Sequence, residues 1–125
     1  MDIFIICEVL MIIQLALLLL HQMDSTYFKE WEMVPYLEMG YTPFFVLTIF
    51  LTVIQIAGIL FLIDKNSIGI FITIIWGCIG LVVPIFHSYH YLIGAKGFRN
   101  FWSAFIIYLT LINSVLLIVY GFKAL

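Results

Sequence analysis

Three histidines and a short run of carboxylates are the residues in this chain best suited to chemistry. His21 closes an apolar run, Leu17–Leu20, and Asp24, Glu30, Trp31 and Glu32 follow within eleven residues. His87 and His90 stand near the end of another apolar stretch. His21 and Asp24 are three residues apart, as are His87 and His90, so each pair makes neighbours on a helix. Imidazole nitrogens with carboxylate oxygens suit zinc, or iron or manganese when more of the ligands are oxygen. His21, Asp24, His87 and His90 are therefore the expected metal ligands. Glu30 and Glu32 are the expected catalytic groups, each as a general base, a further ligand or a carboxylate that orients one. Such a site keeps a position open for water, whose pKa falls toward about 7 on a metal.

The elements that must position these groups follow from composition. Of 125 residues, 66% are hydrophobic and 10% charged, and the mean hydropathy is +1.24. No soluble domain of this size hides so much apolar surface, so the solvent is lipid. Hydropathy marks four spans, at about residues 3–22, 44–63, 68–94 and 100–122. At about 1.5 Å per residue each crosses roughly 30 Å of hydrocarbon. Backbone groups in lipid need internal partners, so the spans are helices. The chain reads as one domain: an all-α, integral membrane four-helix bundle with antiparallel neighbours and both termini on one side.

Connections sharpen this picture. Asp64–Ser67 and Ala95–Arg99 are tight turns. Only the first connection has room for structure, and residues 24–36 interleave aromatic and charged side chains as an interfacial helix does. Pro35 and Pro43 should interrupt helix there. Glu30 lies opposite His21 on a straight helix, so it joins the histidines only if the chain bends at Asp24-Ser25-Thr26, residue types that favour turns and caps. Trp31 then anchors the fold-back at headgroup level.

The first span lacks a basic leader and a small-residue cleavage site, and is expected to be a retained transmembrane helix. Cys7 and Cys78 read as buried thiols packing as small hydrophobes. The net charge of −2 argues against nucleic acid. Lys65 and Lys123 on one side face Lys29, Lys96 and Arg99 on the other, a near balance that leans toward a cytoplasmic site.

Polar residues continue inward. Cys7, Gln14 and His21 share one helix face, and Gly69, Thr73, Gly77, Gly80, Pro84, His87 and Tyr91 share another. Such small and polar stripes face the interior of a membrane bundle. Glu8, Gln55 and Asn113 reach similar depth and are expected to cluster, as interhelical glue or as a proton or ion relay.

The run His21-Gln-Met-Asp24 followed by Lys29-Glu30-Trp31-Glu32 resembles a family of small, uncharacterised bacterial membrane proteins whose first helix ends in His-x-x-Asp before Glu-Trp. It is more distantly similar to membrane domains named for a His-x-x-Glu-Glu motif and suspected of metal-dependent catalysis. The resemblance covers roughly residues 21–35. It implies a site at His21, Asp24, Glu30 and Trp31 in a bacterial cytoplasmic membrane. This chain has Asp24 at the spacing of the first Glu, and Trp31 separates Glu30 from Glu32.

Several functions fit these residues. The first is a metal-dependent enzyme acting on a lipid-like or small amphiphilic substrate. A second is a small-molecule or ion binder or transporter, which four short spans would support only as a homo-oligomer. Gly77-x-x-Gly80 is not the Gly-x-x-x-Gly spacing of a dimerising helix, so sequence leaves assembly open. Haem ligation by His21 with His87 or His90 fits less well, because carboxylates beside the rings suit harder metals. A non-catalytic accessory subunit would tolerate substitution of all these residues.

Overall fold

The computed structural model describes residues 2–33, 40–94 and 100–125. Among them the chain forms five helices: α1 (Ile3–Phe28), α2 (Glu30–Met33), α3 (Tyr41–Ile63), α4 (Ser67–Leu92) and α5 (Phe101–Ala124). The four long ones are each apolar and long enough to cross a membrane. Polar caps start three of them. Asp2 accepts from the Phe4 N–H at 3.1 Å, Asn66 from that of Ile68 at 2.9 Å and Asn100 from that of Trp102 at 3.0 Å. Each satisfies an N–H that a helix start leaves without an intrahelical partner. Pro43 lies in the first turn of α3, where its missing N–H removes no intrahelical bond.

The helices form a ring. α1 packs beside α3 and α5, α4 packs beside the same two, and α1 and α4 face each other across the diagonal. Lys65 in the α3–α4 turn meets Asp2 at the start of α1, at 2.6 Å. At the other end Ser103, near the start of α5, donates to Asp24. Neighbours are therefore antiparallel, while α1 and α4 run parallel and end together. The expected small and polar stripes point inward: Cys7, Gln14 and His21 are buried on α1, and Gly69, Thr73, Gly77, Gly80, Pro84 and His87 on α4. Tyr91, expected on the same stripe, is exposed. So is Cys78, which lies on the outer face of α4 and not inside the bundle.

A polar clasp forms halfway along the bundle, with Gln14 where Glu8 was expected. Gln14 Nε2 donates to Ser114 Oγ at 3.1 Å, and Asn113 Nδ2 donates to Gln14 Oε1 at 2.7 Å and to the Leu10 carbonyl at 3.0 Å. From α3, Gln55 Nε2 donates to the Met11 carbonyl at 3.1 Å. Flanking helices thus grip one turn of α1 from both sides. Glu8 is half-buried and takes no part. A Cβ on Gly80 would lie 2.1 Å from Ser114 Oγ and 2.5 Å from Gln14 Nε2. A larger residue there would push the Ser114 and Gln14 side chains out of the clasp.

Two boundaries differ from expectation. α1 runs through Asp24-Ser25-Thr26 to Phe28. These residues find partners within the helical path: Thr26 Oγ1 donates to the Gln22 carbonyl at 2.7 Å, and Asp24 is taken up by Ser103. Tertiary partners outweigh their local turn preference. Of the expected interfacial segment, residues 24–28 belong to α1 and Glu30–Met33 form α2, and the expectations for Pro35, Lys96 and Arg99 lie outside the described residues.

Candidate metal centre

His21 lies about 27 Å along α1 and His87 about 30 Å along α4, at ~1.5 Å per residue. Each is therefore carried to the far edge of a hydrocarbon layer roughly 30 Å thick. Because α1 and α4 are parallel, both rings arrive at one end of the bundle. Their centroids are 5.1 Å apart at an interplanar angle of 73°.

The third group comes from the turn after α1. Lys29 takes the left-handed conformation, φ 50°, and its N–H donates to the Ser25 and Thr26 carbonyls. This left-handed cap closes the helix as glycine usually does. The reversal starts α2 at once and swings Glu30 back over the helix end. Glu30 Oε2 accepts from Ser25 Oγ at 2.6 Å and stands 3.5 Å from His87 Nε2. Ser25 Oγ is also 3.5 Å from His21 Nε2. One ligand atom each from His21, Glu30 and His87 lies within 4.8 Å of the others, close enough for one small cation to bridge.

Electrostatics favour a cation. The Glu30 side chain is only 13% exposed. Burial pushes its carboxyl up to about 7, the Ser25 hydrogen bond opposes the rise, and the charge of Asp24 adds to it. His21 is buried too, and its Nδ1 has no hydrogen-bond partner among the described residues. A buried polar atom left unmatched costs about 1–3 kcal/mol. Two imidazoles and one carboxylate are also a donor set typical of catalytic zinc and of non-haem iron. The residues present fit a divalent metal.

Other expected site residues stand around this group. Asp24 is bound by Ser103, one turn from His21. His90 is buried, its Nδ1 is 2.8 Å from the Phe86 carbonyl oxygen, and its ring lies on Phe86 with centroids 4.2 Å apart. Neither Asp24 nor His90 joins the three residues that converge. Glu32 is exposed, 3.9 Å from Lys29 Nζ. Trp31 packs on Tyr41 and Phe44, with centroids 5.6 and 5.1 Å away, and so pins α2 to the start of α3. Gln14, Gln55 and Asn113 belong to the mid-bundle clasp, with Glu8 outside it. Sequence reasoning missed Ser25. It sits four residues after His21, a spacing that places it on the same face once the helix continues.

Fold and site together define a small four-span membrane protein with a His-and-carboxylate cluster at one end of its bundle. The chain belongs to a family of unknown function, DUF6713, whose model matches residues 7–124. No curated protein and no solved structure matches it.

Proposed function

We propose that the protein is a membrane-embedded, metal-dependent hydrolase whose centre is held by His21, Glu30 and His87. The convergence of their ligand atoms within 4.8 Å is the observation that carries this reading. A zinc-type ion bound there would supply a Lewis acid and an activated water at neutral pH. His21 and His87 offer neutral nitrogens from two helix ends that the bundle fixes. Ser25 holds one oxygen of Glu30, as partners behind a ligand commonly do. Asp24, whose charge acts on both His21 and Glu30, is the carboxylate that would take a proton from the attacking water. On an ester, hydrolysis would join the water oxygen to the acyl carbon, break the bond from that carbon to the alkoxy oxygen, and pass the water's proton to the departing alcohol, leaving a carboxylic acid.

Titration of chelator-stripped protein with Zn²⁺ tests the reading. One equivalent should bind, and His21→Ala should weaken binding by at least about 100-fold, as befits loss of a direct ligand when orienting partners alone contribute about 10–100-fold. Equal binding by the protein and the variant would remove the reading.

A further inference from the structure

Between the end of α4 and the start of α5 lies a cavity of about 570 Å³, within the ~300–1,000 Å³ range of small-molecule sites. His87 lines it and also belongs to the converging group. Ser103, which donates to Asp24, lines it as well. Both face the bundle interior, at 7% and 5% exposure. The rim is different. Leu92, Phe101 and Tyr108 are 81%, 71% and 59% exposed, and on a four-span bundle that outer surface meets lipid. The cavity therefore joins a polar inner wall to an apolar mouth at one membrane surface.

This layout selects its occupant. A molecule entering through Leu92, Phe101 and Tyr108 arrives from the bilayer and needs an apolar chain. The part that reaches His87 and Ser103 needs oxygen atoms to accept and donate hydrogen bonds. Asp24, bonded to Ser103, and Glu30, 3.5 Å from His87, stand behind these two residues, so in the metal-free protein an anionic head meets like charge. The cavity is large enough for a small head with the first part of one chain.

We propose that this cavity binds a single-chain ester amphiphile with an uncharged head, the head against His87 and Ser103 and the chain leaving through the apolar rim into the bilayer. The inference names the substrate class of the centre proposed above and rests on that reading for catalysis, but not for binding. Binding draws on the lateral supply of amphiphiles in the membrane and leaves the head beside the group that would act on it.

Photolabelling tests it. The full-length protein in phosphatidylcholine nanodiscs is irradiated with a monoacylglycerol carrying a diazirine on its chain, and adducts are mapped by mass spectrometry. Phe45, 48% exposed on α3 near the same end of the bundle, is the internal control of like chemistry and depth. The proposal expects Phe101 to label at least about threefold more than Phe45. Ala104→Trp, which fills the cavity, should bring the two to parity, and Ala104→Leu serves if the larger variant misfolds. Equal labelling of Phe101 and Phe45 in the unsubstituted protein, or excess labelling that survives a folded Ala104 variant, overturns it. His21→Ala, outside the cavity lining, should keep the labelling while weakening Zn²⁺ binding by at least about 100-fold. Labelling without metal uptake in the unsubstituted protein would thus sink the hydrolase reading alone.

Discussion

The middle and the end of this bundle bury polar groups in opposite ways. At the middle, Gln14, Asn113 and Ser114 bond to one another and to the Leu10 carbonyl. At the end, His21, Glu30 and His87 crowd together. There Ser25 donates to Glu30 at 2.6 Å, and His21 Nδ1 has no partner among the described residues. Both polar atoms of the Gln14 amide and the amide nitrogens of Gln55 and Asn113 are bonded in the middle cluster, which holds helices together. The end cluster gathers metal-ligating atoms and leaves His21 Nδ1 unmatched among the described residues, as a ligand site would. The interior is not perfectly matched either, since Gln55 Oε1 is also unpartnered.

Substitutions can break this contrast. The largest effect is expected from His87→Ala, which should weaken Zn²⁺ binding by at least about 100-fold in calorimetric titration and leave the helical circular dichroism unchanged. Next is pH. Burial raises the Glu30 pKa to about 7, so below that value the carboxyl carries a proton which an incoming metal must displace. Affinity should fall about tenfold per unit as pH drops below about 7 and level off above it, and Glu30→Gln should remove Glu30's part of that slope. Gly80→Ala addresses the middle cluster. Its Cβ would overlap Ser114 and Gln14, and overpacking of this kind costs about 1–3 kcal/mol, read as a lower thermal midpoint with metal affinity retained. The smallest effect is expected from Glu32→Gln. Its carboxylate is exposed beside Lys29, and stability should stay within about 0.5 kcal/mol with unchanged zinc binding.

Much of this arrangement is legible in the residues. Long apolar runs separated by two short turns demand antiparallel helices, and that topology alone brings His21 and His87 to one end. The stripe of Cys7, Gln14 and His21 states which face of α1 turns inward. Three features were not legible. Asp24-Ser25-Thr26 reads as a cap by local preference, yet it stays helical because Ser103 and Glu30 supply partners from elsewhere in the chain. The left-handed turn at Lys29 uses a residue with no special preference for it, so the return of Glu30 to the histidines has no local signature. Glu8 was expected in the polar interior on depth alone, whereas Gln14, six residues further along, faces α5 and takes that place.

X-ray absorption at the zinc edge of metal-loaded protein in nanodiscs tests the central claim most directly. A site formed by His21, Glu30 and His87 predicts a first shell of nitrogen and oxygen at about 2.0–2.2 Å, with the outer scattering of two imidazoles, reduced to one in His21→Ala. An all-oxygen shell, or imidazole scattering identical in the protein and the variant, would contradict it.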